Sequence, residues 1–327
     1  MKMPEVKKRI PDIPNVLIKG APTELEKLAY DGMLAENGNL IRQIAEDFAE
    51  PFELIPLDAY RSSRDIFSVT SGIDEKKDRY VLDLYQSGAH SFNAVFEQVA
   101  RESVCQLIFN GIAHLEIVLC LTEEGEVKHI QFLPLYAQLK KDKNGEIEFI
   151  STTWDDKPLC FSVDSQFLVR FLLNDIGLKK DTFVSSFEEI KNMPQITGQM
   201  ESVLHPKPWY NFNKIVRERD LAILEATKYY YYVGSAVSRS SLMSDFHIIY
   251  RMCRYKMLKR KIFDYLVGQI NMKMILLEEK YHFPGQIIIN YPAINYMDYY
   301  EKLKNGKITI KQMFDVFQYG QIQNEST

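Results

Sequence analysis

Apolar residues recur at helical spacing in "SFNAVFEQVARESVCQLIFNG", residues 91–111. Phe92, Val95, Phe96 and Val99 share one face of the predicted helix. Ser91 stands at the N-cap position, and Gly111 stands where the helix should end, because glycine readily adopts the left-handed conformation that closes many helices. The segment is therefore predicted to be an amphipathic helix with one buried side.

After Ile112 the apolar period changes from helical to alternating. Strand-like segments follow at residues 112–122, 126–139, 146–154 and 159–163. The intervening "EEG", "KDKNG" and "WDDKP" are rich in turn residues. The pattern predicts a small antiparallel meander that directly follows the amphipathic helix.

Helical patterns dominate from residue 210 onward. Residues 210–233 are predicted to form one helix that is apolar on two nearly opposite sides, with Leu221, Leu224 and Tyr231 on one side and Tyr229 on the other. Successive residues of a helix point about 100° apart, so the run "YYYY" cannot form one base-stacking face. A helix with two apolar sides needs two packing partners.

A longer helix with a single apolar stripe is predicted at residues 245–280, ending before the Pro and Gly of "HFPGQ". A short strand, "QIIIN", and a helix over residues 295–306 follow it. Thr309 and Gln312 have capping-box spacing and predict the start of a last helix.

These patterns predict an α+β fold: an amphipathic helix and a small antiparallel meander, then long stem-like helices and a C-terminal helical part. Along the sequence we divide the chain into an N-terminal arm (1–20), a helix-and-meander domain (21–174), a loop and stem-like helix region (175–244), and a long helix with a short strand and C-terminal helices (245–327).

Charge is unevenly distributed along the 327 residues. The formal net charge of −4 gives no general attraction to a polyanion, but residues 210–262 hold 11 Lys or Arg against 4 Asp or Glu, a local balance of +7. These basic residues surround the long helix and do not form one row, which in an isolated domain favours a solvated helix. In an oligomer, however, several copies of a modest positive patch would converge on one axis.

Short motifs for the common enzyme chemistries are missing from the sequence. It contains no GxxxxGK[ST], GxGxxG, HExxH or GxSxG, so no cofactor and no catalytic residue is predicted. The four cysteines form no CxxC pair and are expected to be reduced packing residues. No apolar run reaches the roughly 18 residues that would span a bilayer, and the N-terminus lacks the apolar region of a signal peptide.

His114, Glu116 and His129 share a metal-ligand alphabet, but the predicted hairpin separates them. A turn at residues 123–126 places His129 opposite Cys120, which leaves His114 roughly 20 Å away along the strand. No metal site is therefore predicted. His114 and Glu116 are expected to lie on the exposed face of the sheet.

Two stretches resemble the portal proteins of tailed bacteriophages. The first, "SFNAVFEQVARESVCQLIFNGIAHLEIVLCLTEEGEVKHIQFLPLYAQLKKDKNGEIEF", has an amphipathic helix, a Gly, a strand, an acidic-Gly turn and a "PL" before the next strand. The second, "RKIFDYLVGQINMKMILLEEKYHFPGQIIINYPAINYMDYYEKLKNGKITIKQMFDVF", has a long helix, a short strand, a helix ending in "NG" and the start of another helix. Together they cover something over a third of the chain in the order that the family has them.

The resemblance implies a homo-oligomeric ring, usually of twelve subunits, at one vertex of a virus capsid. It implies contacts with the major capsid protein, with a terminase motor and with a head-completion or tail adaptor protein, and a central channel that holds double-stranded DNA through nonspecific contacts. Portal proteins have no active site of their own. The chain is short for this family and leaves little sequence for the helical crown that many portals carry.

Together with the local charge of +7 and the two apolar sides of the predicted helix, the resemblance predicts roles for two sets of residues. Arg239, Arg251, Arg254 and Lys261 are expected to face nucleic acid, and Leu221, Leu224, Tyr229 and Tyr231 are expected to pack between subunits. Replacing Arg251, Arg254 and Lys261 by Gln should then impair DNA passage without preventing folding. Two alternative hypotheses remain. One is a monomeric or dimeric nucleic-acid-binding accessory protein that forms no ring and uses the basic helices of residues 210–262, and the other is an enzyme of a family without short motifs.

Overall fold

A computed structural model describes residues 18–19, 36–61, 64–71, 91–122, 124–143, 146–153, 158–193, 212–233, 244–283 and 285–322. The chain divides into two compact units, each built from three separate stretches of sequence. The first unit contains residues 1–22, 65–176 and 262–291, and the second contains residues 23–64, 177–261 and 292–327. The four-part division predicted along the sequence stays a prediction.

In chain order the described helices and strands are β1 (Ile18–Lys19), α1 (Glu36–Ala49), α2 (Leu57–Arg61), β2 (Phe67–Thr70), α3 (Phe92–Asn110), β3 (Ile112–Leu121), β4 (Val127–Pro134), β5 (Gln138–Lys143), β6 (Glu146–Thr153), β7 (Pro158–Asp164), β8 (Leu168–Leu172), α4 (Lys180–Lys191), α5 (Phe212–Ala226), α6 (Asp245–Tyr281), β9 (Gln286–Ile289), α7 (Tyr296–Lys304) and α8 (Ile310–Tyr319). Short 3-10 turns at Pro51–Leu54 and Leu173–Ile176 precede α2 and follow β8. The predicted α+β class, with small antiparallel sheets and a long helix, is confirmed.

Helix α3 has the ends that its sequence predicts. The Ser91 hydroxyl accepts a hydrogen bond from the Ala94 N–H, and Gly111 adopts the left-handed conformation with φ 70°. Phe92, Phe96 and Val99 are all buried. Local signals were sufficient here because each cap depends only on residues within one turn of it.

The strands after α3 form two antiparallel sheets, whereas one meander was predicted. One sheet has the order β4-β3-β8, and the other has β6 at its centre, with β1, β5 and β7 on it. The chain leaves the first sheet at Leu135, which is buried in a cluster with Phe149, Phe161, Val163 and other apolar side chains. Leu135 thus lies where the chain passes from the first sheet to strand β5 of the second.

Helix α6 is a continuous helix of 37 residues, close to the predicted range. Its residues 262–281 belong to the first unit, where Phe263, Leu266 and Ile270 are buried. After the helix ends, β9 pairs antiparallel with β2 over four residues, as the strand prediction at "QIIIN" requires.

The second unit has an aromatic core around Phe48 of α1. The centroid of its ring lies 5.9 Å from that of Phe183 in α4, 5.6 Å from that of Tyr230 and 4.9 Å from that of Tyr255 in α6. Aromatic pairs at such distances add stabilisation beyond the area that they bury. Two of the four consecutive tyrosines, Tyr230 and Tyr232, belong to this core.

The predicted helix over residues 210–233 is shorter in the structure, because α5 ends at Ala226 and a turn follows. Thr227 and the tyrosines are poor helix formers, since branching at Cβ and aromatic rings restrict χ1 in a helix. The burial of the side chains alternates along this turn, because Tyr230 and Tyr232 are fully buried while Tyr229 is 66% exposed. The two-sided helix that was predicted here is therefore wrong beyond Ala226.

Helices α7 and α8 close the described part of the second unit. The capping box predicted for α8 is confirmed, since the Thr309 hydroxyl accepts from the Gln312 N–H and the Gln312 side chain accepts from the Thr309 N–H. Met313, Val316 and Phe317 are buried in a cluster with Ile249 and other apolar residues. Gly320 ends the helix with φ 79°.

Candidate subunit and nucleic-acid interfaces

Arg251 is buried, so the expectation that it faces nucleic acid is corrected. Its side chain is 5% exposed, and the guanidinium nitrogen Nη2 donates to the Thr227 carbonyl at 3.4 Å, the Thr227 hydroxyl at 3.2 Å and the Tyr232 carbonyl at 3.2 Å. Burial lowers the pKa of this guanidinium. Arg251 therefore holds the turn after α5 against α6 and offers no surface to a phosphate.

Arg254 lies on the surface beside a cluster of tyrosines. Its guanidinium carbon is 4.9 Å from the centroid of the Tyr231 ring. The ring of Tyr250 packs at 5.8 Å on Tyr231 and at 5.3 Å on Tyr300 of α7. We call Tyr231, Tyr250, Arg254 and Tyr300 the tyrosine–arginine cluster. Sequence reasoning identified Tyr231 and Arg254 but missed Tyr250 and Tyr300, because their proximity depends on the packing of α7 on α6.

The backbone of Tyr231 in this cluster has an unusual conformation for an aromatic residue. Tyr231 has φ 57°, in the left-handed region that aromatic residues rarely adopt. Partial burial and the Tyr231 hydroxyl, which forms a hydrogen bond with that of Tyr250, raise the pKa of Tyr250. Strain of this kind persists where the surrounding structure fixes it, often at binding sites. An arginine next to aromatic rings can bind both a phosphate and a base.

The other residues expected to face nucleic acid have different positions. Lys261 is exposed on α6. Lys259, its neighbour, is buried, and its ammonium donates to the Asp47 carbonyl at 2.5 Å. Arg239 lies outside the described residues. Arg254 and Lys261 are thus the two expected contacts that the structure leaves on the surface.

The four residues expected to pack between subunits lie in different environments. Leu224 is buried within its own chain and is corrected to a core residue. Leu221 and Tyr229 are 44% and 66% exposed, and Tyr231 belongs to the tyrosine–arginine cluster. Leu221 and Tyr229 keep the predicted role as a prediction.

A larger exposed apolar surface lies farther along α6. Met272, Ile275 and Leu276 are 53%, 41% and 59% exposed and occupy positions i, i+3 and i+4, which share one side of a helix. We call these three residues the α6 apolar face. Glu279, also exposed, continues the same side one turn later. The run "MKMILL" carried a signal for this face, because it is too apolar for a helix that buries only one stripe.

An open groove of about 310 Å³ lies in the second unit between α2, α6 and α8. Its apolar lining includes Phe52, Leu57, Met252 and Phe314, and Lys256 and Gln318 add polar groups. Leu57 and Phe314 are 40% and 45% exposed. We call this feature the α6–α8 groove. No carboxylate is among the described residues that line it.

His114 and Glu116 are buried, so their predicted place on an exposed sheet face is wrong. The second sheet covers this face of β3, and the Phe149 ring of β6 packs edge-on at 5.0 Å from the His114 ring. Burial and the opposing Arg170 guanidinium lower the pKa of His114 to about 4. The predicted pairing of Cys120 with His129 is confirmed.

Other ligand chemistries find little support in the described ranges. Within them, no group of three or more His, Cys, Asp or Glu side chains is placed to hold a metal ion. No helix among these residues is long and apolar enough to cross a membrane. In comparisons with known proteins, neither the family models nor the curated sequences gave a match to this chain.

Proposed function

We propose that this chain is a portal protein, a subunit of a head-to-tail connector ring at the capsid vertex of a tailed virus. The ring would surround a channel for packaging and ejection of double-stranded DNA, and the virion would be its final location. The observation that carries the proposal is helix α6, which has an exposed apolar face near its C-terminal end and basic residues near its N-terminal end.

The apolar face supports assembly with other copies. Full burial of an apolar side chain of this size is worth roughly 1.5–3 kcal/mol, so an exposed group of three is costly unless a partner covers it. A helix in a stable monomer normally turns such a stripe to its own core. Self-association is the simplest way to cover a face that every copy carries.

The basic residues support a nonspecific contact with DNA. Arg254 and Lys261 are exposed on α6, and the tyrosine–arginine cluster adjoins the first of them. Contacts with phosphates position a duplex without reading its sequence, and their strength depends on salt. A channel that lets DNA slide requires contacts of this weak, sequence-independent kind.

The helix-and-sheet module agrees with the resemblance found in the sequence. Helix α3 leads directly into β3, and an acidic-Gly turn connects β3 to β4. This is the order in which portal proteins have these elements in the wing.

The test of the DNA contact uses two substitutions on the surface of α6. Arg254→Gln with Lys261→Gln should weaken binding of double-stranded DNA several-fold at low salt and lower the slope of log K against log[salt] by about 2, one for each lost phosphate contact. Arg251 stays unchanged, because it is buried. The matched control is Lys302→Gln with Lys304→Gln on α7, which should leave the slope as it is.

The tyrosine–arginine cluster favours a second candidate, the nucleic-acid-binding accessory protein without a ring. Such a protein would bind single strands through base stacking on Tyr250 and Tyr300 and would be monomeric or dimeric. A preference for single-stranded over double-stranded DNA, lost in Tyr250→Ala, would support it over the portal. Equal affinity for both, with a closed oligomer, would exclude it.

A further inference from the structure

Gly268 lies in the interior of α6, although the described residues around it do not require a glycine. A Cβ atom placed at this position would meet no heavy atom within 4 Å, and the backbone here is helical. Glycine in a helix interior is less stable than alanine, because it loses more backbone freedom on folding. Alanine would therefore fit in the single chain and would favour the helix. A requirement for glycine here has to come from outside the chain.

The same side of the helix carries the α6 apolar face. Met272 follows Gly268 by four residues and Leu276 follows it by eight, so the three positions lie along one side of the helix. On the opposite side, Leu266 and Ile270 are 0% exposed and belong to the first unit. This half of α6 is thus apolar on two opposite sides. The described residues of the chain cover one of them, and the other needs a second partner.

The spacing on the exposed side is symmetric about Met272. A two-fold axis through this position reverses the direction of the helix and brings Gly268 of one copy level with Leu276 of the other. Leu276, which is 59% exposed, then enters the open space above the glycine, and the same contact forms twice. In a parallel pair, leucine would meet leucine and the space above both glycines would stay unfilled, which loses packing contacts.

The position of Glu279 also favours the antiparallel arrangement. This exposed carboxylate lies seven residues beyond Met272 on the same side of α6. In an antiparallel pair the two Glu279 side chains lie at opposite ends of the contact, about 20 Å apart, where salt screens their repulsion. In a parallel pair they would lie side by side and repel each other.

We propose that the α6 apolar face, together with Gly268, pairs with the same surface of a second copy of this chain. The two helices are antiparallel, and Met272 of one copy meets Met272 of the other on the two-fold axis. Glycine lets the two backbones approach closely, and Leu276 of each copy packs above Gly268 of its partner. The occupant of the exposed side is thus a second copy, and every residue of the contact lies in the first unit.

The pairing goes beyond the proposed ring and does not depend on it. A two-fold contact uses the same surface on both copies, whereas a ring closes through head-to-tail contacts. The pairing would therefore join two free copies, or copies that belong to two rings. One short helical face is smaller than the roughly 800 Å² that each partner buries in a standard interface. Free copies should accordingly pair reversibly and weakly.

Gly268→Ala in the full-length chain has two opposite effects if the pairing is correct. The urea midpoint of unfolding should rise, because alanine favours the helix and meets no neighbour in the single chain. The dimer dissociation constant, measured by sedimentation equilibrium, should rise about fivefold or more, because the new methyl group occupies the space for Leu276.

Leu276→Ala removes the side chain that fills this space and should weaken pairing about tenfold. The matched control is Leu57→Ala, at a leucine of α2 that is 40% exposed and lies in the other unit. The control should leave the dissociation constant unchanged. An equal loss in both variants would show that exposed leucines act nonspecifically, and the proposal would be wrong.

Cysteine cross-linking tests the orientation of the pair, in a chain whose exposed Cys160 is replaced by Ser. On this background, Met272→Cys should form a disulfide-linked dimer under mild oxidation, because it lies on the axis. Glu279→Cys should not, because its two copies lie about 20 Å apart. Gly268→Cys mixed with Leu276→Cys should give a cross-linked pair of the two variants. Cross-linking of both Met272→Cys and Glu279→Cys would indicate a parallel pair and overturn the proposal.

The outcomes separate the pairing from the ring. If Gly268→Ala raises the urea midpoint but leaves pairing unchanged, the glycine is not at a contact and the pairing is wrong. If a ring forms but Met272→Cys gives no cross-linked dimer, the pairing is wrong and the ring proposal stands. If Met272→Cys cross-links and Glu279→Cys does not, while no ring forms under any condition, the pairing stands and the ring proposal fails.

Discussion

At the scale of single residues, Arg251 shows how burial changes the role of a basic side chain. Read from the sequence, it belongs to a positive segment suited to phosphates. In the structure it is a donor inside the second unit, where the carbonyls of Thr227 and Tyr232 accept its hydrogen bonds. A charged group at such a site stabilises the fold, and its loss leaves buried acceptors unsatisfied.

Arg251→Met is therefore expected to lower the free energy of unfolding by about 3 kcal/mol, as removal of one partner from a buried charged network usually does. Arg254→Met, three residues away on the surface, should cost less than about 1 kcal/mol, because an exposed cation–aromatic contact contributes little. Urea denaturation of both variants measures the difference. Equal losses would contradict the structural role of Arg251.

The conformation of the tyrosine run "YYYY" could not be predicted from local sequence alone. The sequence correctly indicated that "YYYY" does not form one stacking face, but for the wrong reason, since the tyrosines lie in a turn after Ala226 and only Tyr229 is largely exposed. The low helix propensity of these residues ends α5, and the packing of Tyr230 on Phe183, at 4.5 Å between ring centroids, stabilises the turn that follows. That contact joins α4 to the turn and has no local signature.

At the scale of elements, prediction succeeded where the signals are local. The ends of α3 and α8 follow from caps, and the length of α6 follows from an uninterrupted helical pattern. The division into two sheets was missed, because the pairing of β3 with β8 joins residues more than fifty positions apart. For the same reason the burial of His114 was missed, since the covering Phe149 belongs to the other sheet.

Strand β3 gives a prediction about pH. Because the pKa of His114 is about 4 in the folded chain and 6.5 in its ordinary state, the unfolded chain binds a proton first as the pH falls. The contribution of neutral His114 to the free energy of unfolding is therefore fully present above pH 6.5, and it is lost progressively as the pH falls from 6.5 to about 4. The shift corresponds to a loss of about 3 kcal/mol.

The matched control for this effect is His114→Gln, which cannot titrate. Urea denaturation of both proteins across this pH range removes the contribution of the carboxylates, because they are common to the two chains. The unchanged chain should lose about 3 kcal/mol more than the variant. Parallel curves would show that His114 does not titrate as a buried group.

At the scale of the whole molecule, the proposed ring accounts for features that a single chain leaves unexplained. The α6 apolar face is exposed in one copy, and positive charge is concentrated in residues 210–262 of a chain with net charge −4. In the proposed ring, many copies of both features would meet around one axis. The accessory-protein alternative also uses the basic residues of 210–262, but it gives no role to the exposed apolar face.

The mass of the purified full-length chain in native mass spectrometry, with negative-stain images of the same sample, tests the central claim most directly. The account predicts one closed assembly, of about twelve copies by the resemblance to portal proteins, seen end-on as a ring with a central channel. A folded monomer or dimer at every protein and salt concentration, with no ring in the images, would contradict it.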